Sequence, residues 1–182
     1  FMFIGREREL GQLQALLKKD TASLVVIRGR RRIGKSTLIE KFSKNFDSFF
    51  EFQGLAPRPG LEDRDQRKNF SEQISKVLHV PSLTLNHWTE AFAHLASYTR
   101  KGRILIFLDE ISWMASRDPD FVGKLKIAWD TEFKKNPHLI LVLCGSVSSW
   151  IDRNILKDAD FVGRVSLEMD LQELPLKDCH AF

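Results

Sequence analysis

Gly29-Arg30-Arg31-Arg32-Ile33-Gly34-Lys35-Ser36-Thr37 sets two glycines, a lysine and two hydroxyls in the spacing G-x-x-x-x-G-K-S, entered from the apolar run Val25-Val26-Ile27. Each residue type has a use toward phosphate. Glycine at 29 and 34 permits backbone angles that turn successive N–H groups inward as an anion nest, with Arg30, Arg31, Arg32 and Ile33 supplying backbone donors. A helix beginning near Lys35 adds its positive end. The Lys35 ammonium would reach the β and γ phosphates as a point charge, and the Ser36 hydroxyl suits Mg²⁺. Gly29 to Thr37 are therefore the expected contacts of a nucleotide. A chance match in an arginine-rich loop is the competing reading. The context disfavours it, because Leu24 to Ile27 reads as a buried strand and Leu38, Ile39 and Phe42 give the following helix one apolar face.

A second constellation supplies carboxylates. Ile104-Leu105-Ile106-Phe107-Leu108 is an uninterrupted apolar run, as a parallel strand buried on both faces requires, and it ends in Asp109-Glu110. This is a Walker B pattern: Asp109 would hold Mg²⁺ through water, and Glu110 would orient or deprotonate an attacking water. Glu51, on the expected strand Ser48 to Phe52, competes with Glu110 as base and ranks below it. Neither D-x-x-G after the strand, nor N-K-x-D, nor L-S-G-G occurs. Guanine-specific switch and ABC-type readings are thereby disfavoured.

The remaining composition narrows the class. A chain of 182 residues with 43% hydrophobic and 29% charged residues is long enough for one domain with a sizeable core, and ordinary enough not to indicate disorder. Cys144 and Cys179 show no C-x-x-C spacing, and no signal peptide or long apolar span is evident, which points to a reducing cytoplasm and no membrane partner. The histidines are scattered without zinc spacing. The net charge of +4 is modest, with Arg28 and Arg30 to Arg32 in or beside the loop, so nucleic-acid binding by this segment is not indicated.

Elements that would position these residues follow from periodicity. Leu10, Leu13, Leu16 and Leu17 share one face of an opening helix. After the loop, its helix and the strand at 48–52, Pro57 and Pro59 mark a loop over 54–60. Two helices are expected next, one aligning Phe70, Ile74, Val77 and Leu78, the other Trp88, Phe92 and Leu95, with aromatic residues that read as core. Asp118-Pro119 reads as N-cap and first position of a helix carrying Phe121, Leu125, Trp129 and Phe133. His138 to Leu143 is a further buried strand, and Cys144-Gly145-Ser146 at its tip puts a hydroxyl at the ligand edge of the sheet. Ser146 could sense a γ-phosphate or cap a helix over 147–151. A fifth strand is expected over 165–171, after Gly163-Arg164.

The opening Phe3-Ile4-Gly5-Arg6-Glu7-Arg8-Glu9-Leu10, the Gly-Arg-Arg-Arg-Ile-Gly-Lys-Ser-Thr loop, Leu108-Asp109-Glu110, Leu143-Cys144-Gly145-Ser146 and Gly163-Arg164 together resemble the archaeal-type ATPases of prokaryotes, in the AAA+/STAND branch of P-loop NTPases. The resemblance covers nearly the whole chain. It implies a three-layer α/β fold with a five-stranded parallel sheet in order 5-1-4-3-2 and helices on both faces. It also implies that Ile4, Gly5 and Arg6 line the base pocket, and that residues 1–182 form the ATPase domain of a longer protein whose helical lid and C-terminal domains begin near Leu174-Pro175-Leu176-Lys177-Asp178. In AAA+ relatives an arginine placed like Arg164 often reaches a neighbouring subunit's γ-phosphate, so Arg164 is a candidate catalytic residue in trans, with a surface ion pair or cap as the alternative. The side chains of Arg30 to Arg32 are expected to point outward, to solvent or to acidic segments of further domains. Three readings follow. They are an ATPase with Mg²⁺ that drives attached domains, a slow nucleotide-gated switch holding ATP or ADP, and a DNA-associated module whose specificity lies in the further domains. Homo-oligomerisation is compatible with each.

Overall fold

The computed structural model describes residues 5–159 and 161–174. Ile4, Cys179 and the expected start of the lid from Pro175 onward lie outside the described residues.

Five strands form in chain order: β1 (Ser23–Arg28), β2 (Ser48–Gln53), β3 (Ile104–Asp109), β4 (Leu139–Gly145) and β5 (Leu167–Asp170). The helices are α1 (Glu7–Ala15), α2 (Lys35–Ser43), α3 (Asp63–Leu78), α4 (Trp88–Ala96), α5 (Ile111–Met114), α6 (Phe121–Thr131) and α7 (Ser148–Ile151). The strands make one sheet in the order β2-β3-β4-β1-β5, every neighbour parallel, which is the expected 5-1-4-3-2 read from the other edge. Parallel neighbours need long crossovers, and the helices provide them.

Alternation along the strands divides the core in two. Leu24, Val26, Phe52, Ile106, Leu108, Leu141 and Leu143 face α3, α4 and α6, where Phe70, Trp88, Phe92 and Phe121 interlock. Val25, Ile27, Leu105, Phe107, Ile140 and Val142 face Leu13 of α1 and Leu38, Ile39 and Phe42 of α2. The central strands carry unbroken apolar runs, Leu24 to Ile27, Ile104 to Leu108 and Leu139 to Cys144, because both faces are covered, whereas burial alternates along the second half of the edge strand β2. Among the described residues no helix is long and apolar enough to cross a membrane.

Several boundaries differ from expectation. Asp118 does not cap α6. Asp120 stands at the N-cap position, while the Asp118 carboxylate accepts the Asp120 N–H at 2.9 Å and the Lys124 ammonium at 2.9 Å, closing a turn before the helix. The Lys124 contact and that N–H hold the Asp118 carboxyl below its ordinary range against the opposing effect of burial. Phe133 is buried from a 3₁₀ turn just past the end of α6, and Val77 of α3 is 41% exposed, off the helix's core face. β5 is shorter than 165–171, and α5 was hidden within the segment that follows Asp109-Glu110.

Candidate functional site

The carboxyl ends of β1, β3 and β4 lie side by side, so their following loops converge on one crevice. From β1 the chain turns through residues 29–34 into α2. Gly34 takes φ +95° at the helix N-cap, a conformation that a Cβ would strain, and Arg32 also has positive φ, at 62°. Gly29 is needed for a different reason than the expected one. A Cβ there would lie 3.2 Å from Ile33 Cγ2 and from the Leu171 carbonyl, so its role is close approach and not a left-handed turn. Lys35 is 6% exposed, and its ammonium donates to the Gly29 and Arg30 carbonyls, each at 2.7 Å, leaving one of its three protons for an anion.

From β3, Asp109 and Glu110 meet this loop. A cavity of about 360 Å³ is lined by Arg31, Arg32, Gly34 to Thr37, Gln53, Asp109 and Glu110. Burial pushes the Asp109 carboxyl above its ordinary range and Glu110 adds to this, while the Glu110 N–H, Lys35 and the Cys144 thiol oppose it. The half-buried Asp109 carboxylate and the Ser36 hydroxyl line the same cavity, a donor set of hard oxygens suited to a divalent cation.

Glu110 is only 4% exposed and adopts a left-handed backbone, φ 52°, at the N-cap position of α5. The Ser146 hydroxyl donates to Glu110 Oε2 at 3.1 Å, and Arg31 Nε stands 4.0 Å from Oε1. Ser146 is therefore not the cap of α7, which starts two residues later without a side-chain cap. Arg31 is also not directed outward as expected, because its guanidinium lies over the Trp113 ring, 5.1 Å from the centroid. Arg30 does point out, pairing with Glu173 at 3.6 Å. Glu51 sits one pleat behind Gln53 and does not line the cavity, and burial together with Asp109 and Glu40 raises its carboxyl above the ordinary range.

A second cavity, about 590 Å³, lies across the loop and is lined by Gly29, Arg30, Ile33, Ser148, Leu171 and Gln172 among others. Arg6, 5% exposed, donates to the carbonyls of Ile33, at 3.0 Å, and Gln172, so the opening segment braces the walls of this cavity. Gly5, φ +85°, precedes it. Arg164 is not brought to either cavity. It forms a two-pronged pair with Asp130 of α6, Nε to Oδ1 at 2.9 Å and Nη2 to Oδ2 at 3.0 Å.

Sequence reasoning missed Gln53, Gly54 and Trp113. Gln53 could have been found from its place at the carboxyl end of β2, but Gly54 and Trp113 have no motif. A Cβ on Gly54 would lie 2.7 Å from the Glu110 carbonyl and 2.9 Å from both Met114 N and Trp113 Cβ, so its bareness lets β2 run against α5.

Comparisons with known proteins agree with this architecture. The chain is 25% identical over 181 residues to the uncharacterized protein MJECL04 of Methanocaldococcus jannaschii, covering all of this chain and 38% of that one. It is 43% identical over 44 residues to the uncharacterized ATP-binding protein MJ0423 of the same organism, 24% of this chain and 75% of that protein. Among solved structures, the Walker-type ATPase PABY2304 of Pyrococcus abyssi superposes with TM-score 0.66 at 19% identity, covering 93% of this chain and 53% of the other. Cdc6p from Pyrobaculum aerophilum gives 0.64 at 16%, covering 91% and 45%. The ORC2 protein of Aeropyrum pernix, solved as ADPNP-ADP complexes, gives 0.59 at 15%, covering 91% and 47%. At such identities these likenesses speak for the fold. The family described as an ATPase domain predominantly from Archaea matches residues 3–180, and the chain belongs to it.

Proposed function

We propose that the 360 Å³ cavity binds the phosphates of Mg-ATP and that the domain hydrolyses the nucleotide with Glu110 as general base. The observation that carries this is the convergence of Lys35 and Ser36 from the β1–α2 loop with Asp109 and Glu110 from β3 on one cavity. The backbone N–H groups at the start of α2 have no intrahelical acceptor and suit the phosphates, and Lys35 adds charge. Ser36 and Asp109 would hold Mg²⁺, which when bound supplies charge neutralisation to the phosphate oxygens. Glu110 accepts the proton of the attacking water, Ser146 fixes one of its oxygens, and the low exposure of Glu110 keeps bulk water out. The second cavity, bordered by segments that Arg6 ties together, is the space for the nucleoside. Adenine is favoured by the missing N-K-x-D motif and by the adenine-nucleotide complexes of the ORC2 fold neighbour.

Because the chain spans 38% of its full-length relative MJECL04, the nucleotide cycle is proposed to drive or gate further domains, in the manner of AAA+/STAND proteins. DNA contacts, if made, would belong to those domains, and a homo-oligomer would let Arg164 act in trans only after leaving Asp130. Phosphate release by wild type and Glu110→Gln, alongside ATP titration, tests the assignment. Binding without turnover in Glu110→Gln is the expected result, and equal turnover would remove Glu110 as base.

A further inference from the structure

Among the described residues, the Arg31 guanidinium seats on an aromatic ring and stands beside the buried Glu110 carboxylate. Its side chain is 64% exposed, a situation in which an arginine ordinarily samples many rotamers. Here the Trp113 face lies 5.1 Å from the guanidinium carbon, and Trp113 belongs to α5, the helix whose N-cap is Glu110 itself. The ring therefore holds the cation where Nε stands 4.0 Å from Glu110 Oε1. Ser146 occupies the other carboxylate oxygen. With Nε turned to Glu110, the two terminal NH₂ groups of the planar fork remain for a second anion, and Arg31 lines the same cavity as Lys35 and Ser36.

We propose that Arg31 reads the terminal phosphate, bridging the Glu110 carboxylate to the γ-phosphate oxygens of a bound nucleoside triphosphate and so tying the position of Glu110 to the presence of that phosphate. This rests on the assignment of the cavity to nucleotide phosphates made above. A triphosphate brings an anion close to the Glu110 carboxylate, and two like charges at short range repel. A guanidinium between them converts that repulsion into two charge-assisted contacts. A diphosphate leaves Arg31 with Glu110 alone, so its affinity does not draw on Arg31. Arg31 is then a positioning residue for Glu110 and a determinant of triphosphate over diphosphate preference, and Trp113 is the seat that makes a surface arginine specific.

The test measures binding of ADP and of a non-hydrolysable ATP analogue, each with Mg²⁺, by titration calorimetry on wild type, Arg31→Ala, Arg31→Lys and Trp113→Leu, with melting temperatures alongside. Arg31→Ala is expected to weaken the ATP analogue about tenfold or more and ADP by less than about threefold. Arg31→Lys keeps the charge but loses the fork, and falls between. Trp113→Leu removes the seat while sparing the guanidinium, and shifts the ratio of the two affinities in the same direction. The Arg31 variants melt like wild type, because the side chain is largely exposed. An equal loss for both nucleotides in Arg31→Ala would make the residue a general contributor of positive charge and overturn the proposal. An unchanged ratio in both Arg31 variants overturns it too. If wild type binds neither nucleotide, the assignment of the cavity fails and takes this proposal with it, whereas normal binding with an unchanged ratio removes the Arg31 proposal alone.

Discussion

Replacing Gly54 by alanine should displace Glu110, the carboxylate proposed as general base, from a residue that does not line the cavity. Gly54 follows β2, and its N–H donates to the Asp109 carbonyl at 3.1 Å. An added Cβ would stand 2.7 Å from the Glu110 carbonyl oxygen and 2.9 Å from Met114 N and Trp113 Cβ. Two of these three contacts are backbone, so no side-chain rotation relieves them. The Glu110–Met114 segment must retreat by about 0.7 Å to reach the 3.4 Å at which ordinary contact begins. Overpacking of this kind destabilises by about 1–3 kcal/mol. Gly54 has no positive φ, so alanine also lowers the entropy of the unfolded chain, offsetting about 0.4–1 kcal/mol. A net loss between about 0 and 2.6 kcal/mol follows, with a midpoint of about 1.3 kcal/mol, equivalent at that midpoint to roughly 3–5 °C in Tm for a domain of this size.

The effect on chemistry should be larger than the effect on stability. A displacement on the order of 1 Å at a positioned group lowers turnover by up to about 10²-fold, so kcat is expected to fall about tenfold to a hundredfold. Lys35 and Ser36 sit on the β1–α2 side and do not touch Gly54, so ATP affinity should stay within about threefold of wild type. Urea unfolding, titration calorimetry and single-turnover phosphate release measure the three quantities. A folded Gly54→Ala protein with the wild-type single-turnover rate would refute the reasoning, because it would mean either that α5 yields freely or that the position of Glu110 does not matter.

Further outcomes follow from the same geometry. Lys35→Ala should abolish Mg-ATP binding in calorimetry with at most a few degrees' change in Tm, roughly, because the ammonium's other partners are two loop carbonyls. Glu110→Gln should bind ATP like wild type and lose phosphate release by about 10²-fold or more, while Asp109→Asn should weaken the dependence on Mg²⁺ in the same assay. Arg164→Ala removes the hydrogen bonds that, with Lys134 and Lys126 nearby, hold the Asp130 carboxyl below its ordinary range. A depressed folded-state pKa stabilises above the unfolded carboxylate range and ceases to do so as pH falls through the folded value. Chemical unfolding should therefore show the mutant weaker by about 0.5–1 kcal/mol near neutrality and equal to wild type in acid. If Arg164 acts in trans, wild-type turnover per subunit rises with protein concentration and that of Arg164→Ala stays flat.

The legible part of this protein is the part written locally. Val25-Val26-Ile27 before the loop and Ile104 to Leu108 before Asp109 are apolar at every position, which only a strand covered on both faces tolerates, and both are central strands. The errors are local too, and have local causes. Asp118-Pro119 looks like a cap and first turn, but Asp118 is drawn to Lys124 and to the Asp120 N–H, and the helix begins after Asp120. Val77 fits an apolar spacing in the sequence, but in α3 it is Phe70, Ile74 and Leu78 that meet the core, and Val77 falls off that face.

The sequence by itself determined that a G-x-x-x-x-G-K-S loop enters a helix, that two acids end a buried strand, and that the chain belongs to the archaeal ATPase-domain family. These are properties of backbone permissiveness and burial within a few residues of each position. Only the tertiary structure decided which side chains share the cavity. The Ser146 hydroxyl proved to bond Glu110 at 3.1 Å across the neighbouring ends of β4 and β3, a contact that neither expected role contained, and it stands two residues short of α7. Arg31 looked like a solvated loop charge until α5 brought Trp113 beneath it, and Gly54 carried no signal until β2 was set against the Glu110 carbonyl. A side chain's partner is set by which strand ends become neighbours, and the order of parallel strands is a long-range outcome of packing that no spacing along the chain records.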